Sequence, residues 1–326
     1  MPLASLGDSF SAFFDAVGDF LSNLAAVSWL PLLGALVCFT IYLSFRARAS
    51  FHILRAAYPD AKISFKRIWG AYFAGYGFNS VIPARGGDVI RLFLTKTSVP
   101  GSSYPAVAAA FMVEVIFDLT MAVPVLAFAF SQGVFPKPPD FSKLPAFDLA
   151  FFASHPRFTL FLLTVLGIAV LAGFALLSAR VRAFWARVRQ GLTILFDRRR
   201  YVREVWLVQF CGWLFRFAAF WCLLEAFNVG GSVRNVLLVL GVNAVAALVP
   251  FTPGGAGVQQ ALLVKVFGTG ATVAAYSVGQ QIAIAALTFG IGLGSVIWIF
   301  RFRSFKEVIA AGRAQREAEK AATGPA

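Results

Sequence analysis

Three ionisable side chains lie within long apolar stretches of the sequence, where a charge is costly to bury. Glu114 and Asp118 are four residues apart, so a helix places them on one face, and Arg216 lies near the middle of another apolar stretch. Carboxylates in such positions can exchange protons or balance nearby cations. They can equally form a buried ion pair with Arg216 or Arg85 that only fixes helix packing. The sequence leaves both interpretations open.

Residues 79–91 interrupt another apolar region with a proline, a glycine pair and several charges. Backbone freed from helical hydrogen bonds is tolerated at membrane depth only where protein buries it or where it lines a wet cavity. A helix that restarts at Asp88 points its positive end into this gap, and a neighbouring Arg can bind a phosphate through two hydrogen bonds. Asp88 is also a favourable helix cap. The predicted anion site consists of Asn79, Pro83, Arg85, Gly86, Gly87, Asp88 and Arg91.

A second interruption, at residues 250–260, contains prolines and glycines but no charge. Its composition is typical of a tight turn between closely crossing helices, or of the matching half of a central cavity. An asparagine precedes each interruption, and each has a glycine pair after a proline. These likenesses favour an inverted repeat. The predicted second turn consists of Asn243, Pro250, Pro253, Gly254, Gly255, Gly257 and Gln259.

The composition excludes a soluble globular domain. Apolar residues make up 59% of the 326 residues and charged residues only 13%, which is more apolar surface than a soluble core of this length can hide. The sequence predicts an all-α polytopic membrane protein with about five full spans and two oppositely oriented re-entrant segments. The predicted spans are 25–45, 103–130, 158–178, 205–227 and 272–300, and the re-entrant segments begin within 68–82 and 233–250.

Positive charge is concentrated in three segments, 46–67, 180–203 and 301–326, whereas residues 1–27 contain no Lys or Arg. Basic flanks mark the cytoplasmic side of a span. We therefore expect a cell (plasma or inner) membrane protein with its N-terminus and loop 131–157 outside and its C-terminus in the cytoplasm. The first span should end at Arg46 and Arg48. This topology accounts for the net charge of +14 better than nucleic-acid binding, which we do not expect.

Three regions follow along the chain. Residues 1–24 place apolar side chains at helical spacing opposite three Asp residues and predict an amphipathic surface helix. Residues 25–300 form the transmembrane domain, and residues 301–326 form a charged cytoplasmic tail. The three cysteines lie in spans and predict no disulfide, and the sequence carries no metal cluster, cofactor motif or enzyme signature.

The two interruptions and the acidic pair together resemble the lysylphosphatidylglycerol synthetase transmembrane-region family. This family comprises flippase-like membrane proteins and the flippase half of the multiple peptide resistance factor. Residues 79–91 resemble its signature N-x-x-[LI]-P-x-R-x-G-[DE]-x-x-R, and residues 249–258 resemble P-x-x-P-G-G-x-G. Residues 114–118 resemble E-R-x-x-D. Val115 departs from this pattern, and Gln259-Gln260 stands where the family has a basic and an acidic residue.

The resemblance implies translocation of a phosphate-bearing lipid, either a phospholipid or a polyprenyl-phosphate-type lipid, without nucleotide hydrolysis, cofactor or enzymatic activity. Arg85 and Arg91 would hold the phosphate of the headgroup, while Glu114 and Asp118 would balance these charges or exchange protons. The alternative is a non-transporting scaffold for a lipid- or glycan-modifying enzyme. A homo-oligomer is compatible with both functions.

The charge pattern makes a testable prediction about topology. In a background without the native cysteines, single cysteines at Ser142 and Gln190 should be labelled from opposite sides of the membrane. The measurement is reaction with a membrane-impermeant thiol reagent in intact and in opened cells. Labelling of both positions from one side would contradict the predicted arrangement.

Overall fold

The computed structural model describes residues 26–82, 85–132, 184–246, 257–268 and 270–301, and every regular element in these ranges is helical. A short helical segment occupies 184–191, and a 3₁₀ turn occupies Thr193–Phe196. The principal helices are α1 (Trp29–Ala57), α2 (Phe65–Asn79), α3 (Gly86–Ser98), α4 (Tyr104–Ser131), α5 (Arg198–Ala226), α6 (Val233–Ala246), α7 (Val258–Phe267) and α8 (Ala271–Trp298).

Four of these helices, α1, α4, α5 and α8, are apolar and contain 28 or 29 residues each. At 1.5 Å per residue they are about 42 Å long, more than the ~30 Å hydrocarbon core of a bilayer. They correspond to four of the five predicted spans, so the chain is an all-α, multi-pass membrane protein. The predicted end of the first span, at Arg46 and Arg48, lies within α1, which continues without a break to Ala57.

Several predicted regions lie outside the described residues. They are the surface helix 1–24, the span 158–178, most of the loop 131–157, and the tail from residue 302 onward. The basic loop 180–203 is described from residue 184 and is largely helical.

Side-chain caps define where two of the long helices begin. The Ser103 side chain accepts a hydrogen bond from the backbone N–H of Ala106, and Pro105 occupies the first turn of α4, where its missing N–H has no consequence. Asp197 accepts a hydrogen bond from the Arg200 N–H at 3.0 Å and caps α5 in the same way. A single π-helical turn, Val202–Trp206, follows in α5 before regular α-helix resumes.

The first interruption forms a helical hairpin in which α2 and α3 lie antiparallel and in close contact. Asn79 at the end of α2 bonds Asp88 in the first turn of α3, and a Cβ added at Gly75 would lie 2.5 Å from the Arg91 Cβ. A Cβ added at Gly87 would overlap the Gly75 carbonyl oxygen. The glycines are therefore required because the two backbones approach more closely than any side chain permits.

The second interruption brings α6 and α7 together. The Gln259 amide at the start of α7 donates a hydrogen bond of 2.7 Å to the Asn243 side chain near the end of α6. Gly257 precedes α7 with φ of 85°, a conformation that favours glycine. The intervening residues 247–256 lie outside the described part of the chain.

The order long helix, broken pair, long helix occurs twice, as α1–α4 and again as α5–α8. The helices α1 and α5 lie antiparallel, since the Ser28 N–H bonds the Ala226 carbonyl at one end while Phe45 packs on Gly212 towards the other. The remaining contacts are reciprocal. In one, α2 packs along α8, with Gly77 against Thr288; in the other, α6 packs along α4, with Gly241 against Ala129.

The α2–α8 contact predicts a large effect of a small substitution. Gly77→Ala should destabilise the protein by about 1–3 kcal/mol, because the new Cβ overlaps the Thr288 backbone, which cannot rotate away. Gly290→Ala is the matched control, because nothing lies within 4 Å of a Cβ there. It should be neutral, or stabilising by up to about 1 kcal/mol. Denaturant titration in detergent micelles measures both, and equal stability of the two variants would contradict the close packing.

Candidate functional site

Glu114 lies at the centre of a cluster of charged side chains between α1, α2, α3 and α4. Its side chain is only 3% exposed. One carboxylate oxygen accepts a hydrogen bond from the Arg91 guanidinium. The other accepts a hydrogen bond of 3.2 Å from the Tyr72 hydroxyl and lies 3.6 Å from the Arg46 guanidinium. Glu114 therefore connects two arginines that belong to different helices.

Asp118 forms a two-fold pair with Arg46. The two terminal nitrogens of the Arg46 guanidinium each donate to one carboxylate oxygen of Asp118, the second at 2.9 Å. The remaining Nε donates to the Tyr72 hydroxyl at 2.9 Å. All three nitrogens of this buried guanidinium thus have partners. This paired fork geometry is the strongest form of an arginine–carboxylate contact.

The Arg91 guanidinium lies between two aromatic rings. Its central carbon is 4.0 Å from the centre of the Tyr72 ring and 3.9 Å from that of Phe111. It also donates to the Ser50 hydroxyl at 3.1 Å. Ring faces carry negative charge, so they stabilise the cation while they keep water away from it. In this cluster, which we call the ion cluster, two arginines are matched by two carboxylates.

The predicted ion-pair partners of the two carboxylates are wrong. Arg216 lies over the rings of Tyr42 and Phe220, and the structure gives it no ion pair with any described carboxylate. Arg85 pairs with Asp88 instead. The reason is helix packing: α1 and α3 bring Arg46 and Arg91 against α4, whereas Arg216 faces the aromatic contact between α5 and α1.

Arg46 is the member of the ion cluster that the sequence does not predict. The charge pattern assigns it to the cytoplasmic flank together with Arg48. The burial of Arg46 could have been predicted from the helical spacing of α1. Phe39, Tyr42 and Ile53 share a helical face with Arg46, whereas Arg48 lies on the opposite side and is exposed.

The turn of the first hairpin presents Arg85. This residue has φ of 57°, in the left-handed region, and its side chain is 69% exposed. Its Nε lies 3.1 Å from the Asp88 carboxylate, which also accepts a hydrogen bond of 2.8 Å from Asn79. Among the predicted anion-site residues, Arg85, Gly86, Gly87, Asp88 and Asn79 therefore meet at the turn, and Arg91 lies deeper in the ion cluster. Pro83 is outside the described residues.

The predicted second turn is described in part. Asn243 and Gln259 are joined by a hydrogen bond, and the Gly257 N–H donates to the Gln260 side chain at 2.5 Å. Gln260 in turn donates to Gln281 of α8. The remaining predicted residues, Pro250, Pro253, Gly254 and Gly255, lie outside the described residues. Among the residues that are described, no three of the His, Cys, Asp and Glu side chains are grouped to hold a metal ion.

Four long apolar helices, two broken helix pairs and a buried ion cluster define a polytopic membrane protein with a polar centre. The chain belongs to the family described as the lysylphosphatidylglycerol synthase TM region, whose model matches residues 9–293. This membership confirms the resemblance of the sequence motifs. It places the chain among membrane proteins of the lipid-modification and flippase-like kind. Comparisons with curated proteins and with solved structures found no match.

The ion cluster predicts a large loss of stability when one charge is removed. Arg46→Leu should cost about 3–5 kcal/mol, because it leaves Asp118 without its partner and Glu114 with only one arginine. The double variant Arg46→Leu with Asp118→Leu should recover most of this loss, since it removes a charge of each sign. Arg216→Leu is the control and should cost less. These values come from denaturant titration in micelles, and an Arg46→Leu protein as stable as Arg216→Leu would contradict the pairing.

Proposed function

We propose that this protein translocates a phosphate-bearing lipid between the two leaflets of the cytoplasmic membrane without nucleotide hydrolysis. The observation that carries the proposal is the reciprocal packing of two hairpins against the long helices of opposite halves, with the ion cluster beside the first of them. Discontinuous helices that enter from opposite faces and meet near the midplane are typical of transporters, whose substrate sites lie between such repeats.

The arms of the hairpins support their interpretation as re-entrant segments. Helices α2, α3, α6 and α7 contain 10–15 residues, fewer than the about 20 that a span needs. In the proposed topology α1 runs inward from an external N-terminus. The first hairpin then enters from the cytoplasm, the second enters from outside, and α8 returns to a cytoplasmic C-terminus.

Helix directions support one further crossing between α4 and α5. Gly191 packs against Ala106 at the start of α4, and the Trp206 indole donates to Thr120 further along it, so α4 and the chain leading into α5 run parallel. The chain leaves α4 at the end opposite Gly191. A return across the membrane between these points agrees with the predicted span 158–178.

The charges suggest how a phosphate enters. Arg85 is exposed at the hairpin turn, and the only carboxylate that pairs with it among the described residues is Asp88, itself 45% exposed. A phosphate can engage Arg85 there without leaving water completely. Arg91 is held by Glu114, so a phosphate that moves deeper must compete with this carboxylate for the guanidinium. In this proposal Glu114 controls whether Arg91 is available to the headgroup.

Reconstitution into liposomes tests the proposal against the alternative of a non-transporting scaffold. Purified protein should accelerate the movement of a fluorescent phospholipid between leaflets, measured by loss of fluorescence to an impermeant reductant. Glu114→Gln should change this rate at least tenfold at neutral pH, because the amide cannot form the ion pair that holds Arg91. Asp60→Asn, the same chemical change at an exposed loop position, is the control.

Two results would contradict the proposal. Wild-type protein that is folded but moves no phospholipid would favour the scaffold. Equal rates of lipid movement for the wild type, Glu114→Gln and Asp60→Asn would mean that the ion cluster plays no part in translocation.

A further inference from the structure

The two halves of the molecule place different chemistry at equivalent positions. Helices α4 and α8 each contain 28 residues and each follow a broken pair. Glu114 and Gln281 are both the eleventh residue of their helix. Each accepts a hydrogen bond from the second arm of the pair that precedes it, from Arg91 in the first half and from Gln260 in the second. Gln281 is therefore the structural counterpart of Glu114.

The counterpart of the ion cluster is uncharged. Gln260 and Gln281 form an amide–amide bond where the first half has an ion pair, and Gln259 bonds Asn243 beside it. Helix α8 carries no ionisable Asp, Glu, Lys or Arg, and the described residues of α6 and α7 contain no carboxylate. No group in these helices can neutralise a cationic headgroup.

Buried polar atoms without partners lie next to this amide pair in the sequence. Gln280 is 1% exposed, and within the described residues neither its amide nitrogen nor its amide oxygen has a hydrogen-bond partner. Tyr276 lies one turn earlier on α8 and is completely buried, and its hydroxyl likewise has no hydrogen-bond partner among the described residues. A buried polar group without a partner is costly, and groups of this kind call for an explanation. Gln280 and Tyr276 thus add unpaired donors and acceptors to the same stretch of α8 that carries Gln281.

The position along α8 suits a headgroup that also touches the first hairpin. Helix α2 runs antiparallel to α8, with Gly70 near Ser295 and Gly77 near Thr288. Asn79, the last residue of α2, lies two residues beyond Gly77 in the direction that leads from Ser295 through Thr288 along α8. The separation of Thr288 and Gln281 is seven residues, or about 10 Å along a helix, which is comparable to the span of a phosphate with an attached glycerol or sugar.

We propose that the amides of α7 and α8 bind an uncharged, hydroxyl-bearing part of the lipid headgroup, such as a glycerol or a sugar, and discriminate against ammonium-bearing headgroups. An amide offers one donor and one acceptor group, as a hydroxyl does, whereas an ammonium offers donors only and requires a counter-charge. This inference rests on the proposed function, since it specifies the headgroup of the translocated lipid.

The test compares two probes that share the phosphate and differ beyond it. Phosphatidylglycerol carries hydroxyls, and phosphatidylethanolamine with the same acyl chains carries an ammonium. Native mass spectrometry of delipidated protein measures binding of each lipid, and the liposome assay measures the movement of their fluorescent analogues. We expect at least tenfold preference for phosphatidylglycerol in binding. Gln281→Glu should reduce this preference at least tenfold, because it adds the missing carboxylate without changing the shape of the side chain.

Gln132→Glu is the matched control, since it makes the same change at the exposed end of α4. Its selectivity should equal that of the wild type. Equal binding of the two lipids, no binding of either, or unchanged selectivity in Gln281→Glu would overturn the inference. Movement of both lipids at equal rates would also overturn the inference, although the proposed function would stand. Selective binding that depends on Gln281, without any movement, would support the amide site and remove the translocation proposal instead.

Discussion

The pairing of four charges within one bundle is the constraint on which the first half of the molecule depends. Arg46, Arg91, Glu114 and Asp118 come from three helices. Asp118 is 46% exposed, but the other three are largely buried, and each buried charge costs several kcal/mol unless it is paired. Apolar contacts between helices are non-directional and would allow them to slide. The ion pairs prevent such sliding, because a shift of one helical turn would leave these charges without partners. Tyr72 adds a fourth helix to the same register through its hydroxyl.

The two halves show how one scaffold can hold two kinds of polar centre. In the first half the contact between broken pair and long helix is ionic, and in the second it is formed by amides. The reciprocal contacts of α2 with α8 and of α6 with α4 depend instead on glycine. Close packing of the backbones is therefore common to both halves, while the chemistry at the broken pairs differs between them.

The sequence predicted the elements of the fold better than the partners of the charges. Prolines and glycines located the first hairpin, because no uninterrupted helix accommodates them, and Glu114 was recognised because a buried acid is rare. Arg46 was missed, since a basic residue near the end of an apolar stretch is typical of a cytoplasmic flank. Its burial is decided by its helical phase relative to Tyr42. The choice of Arg46 over Arg216 as partner of Asp118 is decided by tertiary packing, which no local pattern contains.

Helices α4 and α8 each contact the broken helix pairs of both halves. Along α8, α2 occupies the end near Ser295 and α7 bonds Gln281. Along α4, α3 reaches Glu114 and α6 occupies the end near Ala129. The two halves are thus interlocked, because rotating one as a rigid body against the other would break the contacts of Gly77 with Thr288 and of Gly241 with Ala129 together. Loosening one of these two contacts therefore loosens the other, so the stability of each half depends on how it packs against the other.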